Sequence, residues 1–168
     1  LAQLYADSGD FYRPQLLMVE AYSERLTGLP APDDVEVWWH AWPTPFVDLF
    51  RDTAESGIDV EPGLVYAVMR EESGYRPEVV SVSGARGLLQ IMPETGKRLA
   101  LRESLAEFSP DDLFDPSINI RLGSAYLEQL MTRFDGRRSA AIASYNAGPE
   151  AVVRWLDSAH HANFIAQV

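Results

Sequence analysis

Apolar positions recur at intervals of three and four along most of the chain, and this spacing predicts helices. Leu1, Leu4 and Tyr5 form a first short group, closed by Ser8-Gly9-Asp10. Leu16, Leu17, Val19, Tyr22 and Leu26 form a second, ending at Gly28. Such a hairpin is too small to bury its own apolar face, and it reads as the end of a larger helical array. Leu29-Pro30-Ala31-Pro32-Asp33-Asp34 interrupts the pattern, and a tryptophan-rich segment, Val37-Trp38-Trp39-His40-Ala41-Trp42, follows. Pro43 and Pro45 punctuate the chain again. The expected division is therefore residues 1–42 and residues 43–168. Trp38, Trp39 and Trp42 are read as glue between two packed units, since aromatic side chains bury so much area. Stacking on sugars is the other use open to them.

Beyond Pro45 the helical signal is nearly continuous. Phe46, Leu49 and Phe50 start a helix that Gly57 ends. Asp59 or Glu61 is expected to cap the next, with Pro62 in its first turn. Residues 79–90 carry Ser81, Ser83, Gly84 and Gly87 and read as irregular, with room for a small hairpin. Pro93-Glu94-Thr95 opens a helix to about Leu101. Asp115-Pro116, an N-cap with proline just inside, opens a long one to about Phe134. Its stripe Ile120, Gly123, Leu127, Leu130 and Phe134 predicts core. Ser139 to Tyr145 makes a short helix, broken by Asn146-Ala147-Gly148-Pro149, and Val152, Val153, Trp155 and Leu156 mark a last amphipathic one. No alternating run of strand length occurs. The fold class expected is all-α, with six or more helices and at most a trace of β.

Composition narrows the chemistry. With 168 residues, 46% of them apolar, the chain suits one domain, or one domain plus a fragment of a neighbour. No segment reaches the length of a membrane span. A chain starting at Leu1 without a signal-peptide pattern is expected to be a processed product or a fragment. The formal charge of −11 argues against a nucleic-acid partner, whose phosphates need clustered Lys and Arg. With no cysteine, disulfides and thiolate chemistry are excluded. His40, His160 and His161 lack metal-ligand spacing, so no metal or other cofactor is expected. Ser83-Gly84-Ala85-Arg86-Gly87 has no Lys-Ser/Thr after it and is a poor phosphate loop. The serines lack a histidine base in the main body, which disfavours a Ser-His-Asp arrangement.

One stretch carries a stronger signal. Leu64-Val65-Tyr66-Ala67-Val68-Met69 ends in Arg70-Glu71-Glu72-Ser73-Gly74-Tyr75-Arg76-Pro77. A helix apolar on most faces is buried on most faces. A carboxylate at its C-terminal end risks burial and faces the negative end of the helix dipole. Both effects favour the protonated form, which a general acid needs. Periodicity does not say which glutamate this is, because both have apolar neighbours three and four residues back.

Together with Gly87-Leu88-Leu89-Gln90-Ile91-Met92-Pro93 and Ala143-Ser144-Tyr145-Asn146-Ala147-Gly148-Pro149, this stretch resembles the lysozyme-like domain of the soluble lytic transglycosylases. These are bacterial enzymes that cleave peptidoglycan glycan strands. Asp115-Pro116, residues 119–127 and Arg154-Trp155-Leu156 match in the same order, over about two thirds of the chain. Tyr12-Arg13-Pro14-Gln15 through Pro43 resembles, more loosely, the end of the helical superhelix that precedes this domain in large periplasmic members.

The resemblance implies a catalytic acid directly before the serine, hence Glu72. Glu71 then faces solvent or a structural partner. Ser81 matches a serine that contacts the substrate N-acetyl group. Gln90 and Asn146 offer amides to sugar hydroxyls and amides, Met92 an apolar wall, and Tyr145 a hydroxyl to orient the Glu72 carboxyl or the acetamido group. The implied partner is peptidoglycan glycan, and the implied location, following the substrate, is the periplasm or envelope. The implied reaction is transglycosylation with a single glutamate as acid, then base. A hydrolase of the same bond, as in goose-type lysozymes, and a non-catalytic glycan-binding module are the alternatives. Departures from the family pattern are Leu89 in place of a common Met, Glu150 in place of Gly, and Val60-Glu61 as an insertion. The chain also stops at Phe164-Ile165-Ala166-Gln167-Val168, where the family continues into another helix, so that helix is expected to be missing.

Overall fold

Proline sets the start of four helices. Pro62, Pro93, Pro116 and Pro149 each stand at the first helical position, where an N–H has no partner inside the helix in any case. In this computed structural model, which describes residues 1–158, the α-helices are α1 (Ala2–Asp7), α2 (Tyr12–Tyr22), α3 (Val35–Ala41), α4 (Val47–Glu55), α5 (Pro62–Ser73), α6 (Pro93–Arg102), α7 (Pro116–Arg133), α8 (Arg138–Ala147) and α9 (Pro149–Ser158). Short 3-10 turns join some of them. Among the described residues the only β pairing is two isolated bridges, Val80 with Arg86 and Arg86 with Ile91. The chain is all-α.

The long α7 organises the larger unit. The Asp115 carboxylate accepts from the N–H groups of Ser117 and Ile118, at 2.8 and 3.4 Å, and caps it. The Ser117 hydroxyl and these amides hold the Asp115 pKa below its ordinary value. One face of α7 is buried along its length: Ile120, Gly123, Leu127, Leu130 and Phe134 all lie inside, as the stripe predicted. Against its first half pack Val65, Val68 and Met69 of α5, Leu88 and Leu89 of the following loop, and Leu99 of α6. Its second half meets Ala140 and Ala141 of α8 and Val152 of α9 in a smaller cluster. Leu89 lies so close to Gly123 that a Cβ there would overlap its side chain.

The first three helices pack on one another, and a few side chains link them to the helices that follow. Phe11 contacts Phe46 edge-on, with centroids 6.4 Å apart. Trp38 and Trp42 lie 4.5 Å apart, and the Arg70 guanidinium sits over the Trp42 ring at 5.4 Å. Trp42 thus touches α5, whereas Trp39 is exposed.

Three local readings shift. The second helical pattern stops as an α-helix at Tyr22 and tightens into a 3-10 turn over Ser23–Leu26. Helix α8 runs to Ala147, because the break falls at Gly148 with φ +81° and not at Asn146. Neither expected cap bonds the start of α5: Glu61 occupies the N-cap position without a side-chain bond, and its carboxylate pairs with Arg138. The expectations about His160, His161 and the end of the chain lie outside the described residues.

Candidate active site

Helix α5 ends one residue beyond Glu72, at Ser73. Gly74 closes it in the left-handed conformation, φ +58°, and its N–H bonds the Arg70 carbonyl at 3.1 Å. Glu72 lies four residues after Val68 and seven after Val65, both buried, so it continues the inward face. Glu71 lies four residues after exposed Ala67 and points outward, paired with Arg70 at 2.6 Å. The two adjacent carboxylates therefore occupy different environments. Glu72 is half-buried, and burial first, then the neighbouring Glu71 charge, raise its pKa above the ordinary value.

A cleft of about 190 Å³ opens in front of it, lined by Ala67, Val68, Glu71 and Glu72 of α5 and by Ile142, Tyr145 and Asn146 of α8. Of the residues expected at the site, Glu72, Tyr145 and Asn146 meet here. Ser81, Gln90 and Met92 do not line this cleft and belong to the adjoining loop.

That loop is fixed from several sides. The Ser73 hydroxyl donates to the Leu88 carbonyl at 2.7 Å, the Tyr145 hydroxyl donates to the Leu89 carbonyl at 2.7 Å, and the Leu89 N–H donates to Asn119 Oδ1 at 2.8 Å. Asn119 Nδ2 donates to the carbonyls of Leu113 and Arg86, at 2.7 and 3.0 Å. Gly87 is obligatory in this frame: its φ is +77°, and a Cβ would overlap the Leu113 carbonyl and the Asn119 amide. Gln90 also takes a positive φ, +45°, and its Nε2 donates to the carbonyls of Val79 and Gly87. Both its amide protons are thereby engaged with the loop, and Oε1 is what it can present to a ligand. Ser81 Oγ accepts from the Ala85 N–H and contacts Ser83 Oγ at 3.0 Å, so it too braces the turn. Met92 is exposed at the start of α6.

Tyr145 is partly buried, and burial, followed by the nearby Glu72 charge, pushes its pKa well above the usual phenol value. Its hydroxyl is held by Leu89 and not by the Glu72 carboxyl. The Tyr126 ring packs beside it at a tilt of 47°, centroids 5.3 Å apart. Sequence reading gave no role to Asn119 or to the Ser73 hydroxyl. Asn119 had a visible signal, a lone amide on the apolar face of α7. Ser73 had none, because its partner lies 15 residues away across a loop. Among the described residues no group of three or more His, Asp or Glu side chains is placed to hold a metal.

Residues 51–168 match the family described as Transglycosylase SLT domain. The chain belongs to that family. This SLT domain is 37% identical over 125 residues to the soluble lytic murein transglycosylase of Escherichia coli K12, covering 72% of the chain and 19% of the relative. It is also 37% identical over 122 residues to membrane-bound lytic murein transglycosylase C of Yersinia enterocolitica, covering 67% of the chain and 34% of the relative. The SLT domain chain thus spans about a fifth to a third of the length of these curated relatives. Among solved structures, the 70 kDa soluble lytic transglycosylase of Escherichia coli aligns over 94% of this chain and 24% of its own, with TM-score 0.74 and 30% identity. An inactive mutant of lytic transglycosylase Slt from Pseudomonas aeruginosa aligns over 92% of this chain and 23% of its own, with TM-score 0.71 and 29% identity.

Proposed function

We propose that the chain is a peptidoglycan lytic transglycosylase that cleaves the β-1,4 bond between N-acetylmuramic acid and N-acetylglucosamine, with Glu72 as sole acid and base. The observation that carries this reading is the contrast between the two glutamates at the cleft. Glu72 is half-buried with a raised pKa, whereas Glu71 is exposed and paired with Arg70. Glycosidases that use two carboxylates place them on opposite sides of the scissile bond. Adjacent helix residues, about 100° apart around one axis, cannot do so. A single-acid route is what this arrangement supports.

In that route the Glu72 carboxyl gives its proton to the glycosidic oxygen as the bond from C1 to that oxygen breaks. The developing oxocarbenium charge is met by the substrate's own N-acetyl group. The Glu72 carboxylate then takes the proton of the muramic acid 6-hydroxyl, whose oxygen bonds to C1. A 1,6-anhydro ring results, no water is consumed, and Glu72 is again protonated. Tyr145 and Asn146 border the leaving site, and Ser81, Gln90 Oε1 and Met92 serve as further sugar contacts on the adjoining loop. The relatives named as murein transglycosylases support the substrate class, and one neighbour is described as inactive once a glutamate is replaced by glutamine. On this reading residues 1–42 are the end of a helical array, residues 43–168 the catalytic unit, and the working place is the periplasm or envelope.

The test is mass analysis of muropeptides released from purified peptidoglycan. Anhydro ends, one water lighter than hydrolysed ends, are expected from the wild type and none from Glu72→Gln. Hydrolysed ends would make the chain a lysozyme-type hydrolase. Binding without release by the wild type would make it a glycan-binding module.

A further inference from the structure

The end of α5 is held from outside the catalytic unit. Asp10 accepts from the N–H groups of Tyr12 and Arg13, at 3.1 and 3.0 Å, and so fixes the first turn of α2. From that turn one edge of the Tyr12 ring (Cδ2 and Cε2) abuts Gly74, so close that a Cβ on Gly74 would overlap it. The Arg76 guanidinium lies over the same ring, 4.0 Å from its centroid. Arg76 Nε in turn donates to the Ser73 carbonyl at 2.8 Å. Ser73 follows Glu72 directly and bonds the Leu88 carbonyl. Beside this contact opens a cleft of about 470 Å³, with Tyr12 and Arg76 in its wall together with Ser8, Gly9, Tyr75 and Pro77.

We infer that Tyr12 is a positioning residue: through Gly74, Arg76 and Ser73 it holds the C-terminal turn of α5, and with it the Glu72 carboxyl, in register with the cleft. This rests on the transglycosylase reading. The first helices thereby contribute to catalysis without touching substrate. Tyr12 uses its ring, and among the described residues its hydroxyl has no hydrogen bond, so phenylalanine should replace it.

The experiment compares Tyr12→Ala, Tyr12→Phe and, as a control within the first helices, Tyr5→Ala, whose ring meets only Arg13 of the cation–π partners at 5.4 Å. Turnover of soluble glycan strands is measured with the unfolding midpoint. In parallel the Glu72 carboxyl is titrated by carbon-13 NMR, assigned by its loss in Glu72→Gln. Displacing a reacting group by a fraction of an ångström to an ångström costs up to about a hundred-fold in rate, so Tyr12→Ala is expected to lower kcat about ten-fold with KM unchanged. The Glu72 midpoint should fall toward the ordinary carboxylate value as water reaches the loosened turn, with Glu71 and Arg70 of α5 and Tyr145 of α8 still in place around it. Tyr12→Phe should restore both, and Tyr5→Ala should alter neither. Wild-type kcat and midpoint in Tyr12→Ala overturn the inference, as does a Phe variant as impaired as the Ala variant or an equal loss in Tyr5→Ala. Should Tyr12→Ala fail to fold, Arg76→Lys, which removes the Nε donor and the planar stack but keeps the charge, is expected to show the same loss, and wild-type values there overturn the inference. The NMR titration does not depend on turnover, so an inactive wild type refutes the proposed function while the midpoint still tests the clamp.

Discussion

Replacing Asn119 by alanine tests whether the loop that borders the cleft is held by one buried amide. Asn119 is fully buried and makes three hydrogen bonds, to the Leu89 N–H and to the carbonyls of Arg86 and Leu113. The Arg86 carbonyl also accepts from the Ile91 N–H at 3.0 Å, so it keeps a partner in the variant. Two buried backbone groups lose theirs, the Leu89 N–H and the Leu113 carbonyl. At about 1–3 kcal/mol for each orphaned group, the expected loss is roughly 2–6 kcal/mol. Against a typical total of about 5–15 kcal/mol this is a large fraction.

Urea unfolding followed by tryptophan fluorescence measures the loss, with the slope of the transition checking that both states stay comparable. Ser124 supplies the control. It lies on the same helix, is equally buried, and its hydroxyl has no hydrogen bond in the structure. Ser124→Ala should therefore be neutral or slightly stabilising. A loss below about 1 kcal/mol in Asn119→Ala, or equal losses in the two variants, refutes the assignment of the amide as the pin. Asn119→Asp adds a sign. The carboxylate can still accept from Leu89 but turns an acceptor toward two carbonyls, so its folded pKa rises above the unfolded value of about 3.9. The variant should stand nearest to wild type at acid pH and lose stability as pH climbs through the raised folded pKa.

Other variants probe the same frame. Gly87→Ala must hold alanine at φ +77° and push Cβ into the Leu113 carbonyl; a loss of about 3 kcal/mol or more is expected in the same unfolding assay, and an unchanged midpoint refutes it. Tyr145→Phe removes the bond to the Leu89 carbonyl and should cost about 1 kcal/mol in that assay, with a fall in muropeptide release. Glu72 carries a raised folded pKa, so it costs stability above the unfolded carboxylate pKa and nothing below it. Glu72→Gln is therefore expected to be more stable than wild type at neutral pH, with the difference vanishing as the solution is acidified; a constant difference across pH counts against the burial of Glu72. By the same shift, wild-type turnover should fall as pH rises through the Glu72 pKa.

Much of the fold was legible because the chain marks its helices locally. Asp115-Pro116, Pro62, Pro93 and Pro149 act within one turn, and no distant residue can overrule them cheaply. Legibility fails where a side chain answers to a distant partner. Glu61 looked like a cap, but its carboxylate reaches Arg138 on α8 instead. Gln90 looked like a free amide, but both its protons serve carbonyls of its own loop. Periodicity left the choice between Glu71 and Glu72 open for a subtler reason. Ala67 counts as apolar in any periodicity yet is exposed at the cleft, so the face it shares with Glu71 looked as buried as the face of Val68 and Glu72.

A two-residue strip of backbone ties together the helices around the cleft. Ser73 from α5 and Tyr145 from α8 each donate to this strip, at Leu88 and Leu89, while Asn119 from α7 accepts from it. The side chains of both leucines are fully buried, so the strip cannot shift without disturbing the core. Glu72 and Tyr145 face one cleft from two helices, and each helix is referenced to the same strip within one residue of the other. The width of the cleft is therefore fixed by backbone at Leu88 and Leu89, although neither residue lines it. The departure from methionine that the resemblance marks at position 89 is compatible with this, because position 89 holds the frame through its N–H and carbonyl, and its side chain has only to fill the space over Gly123.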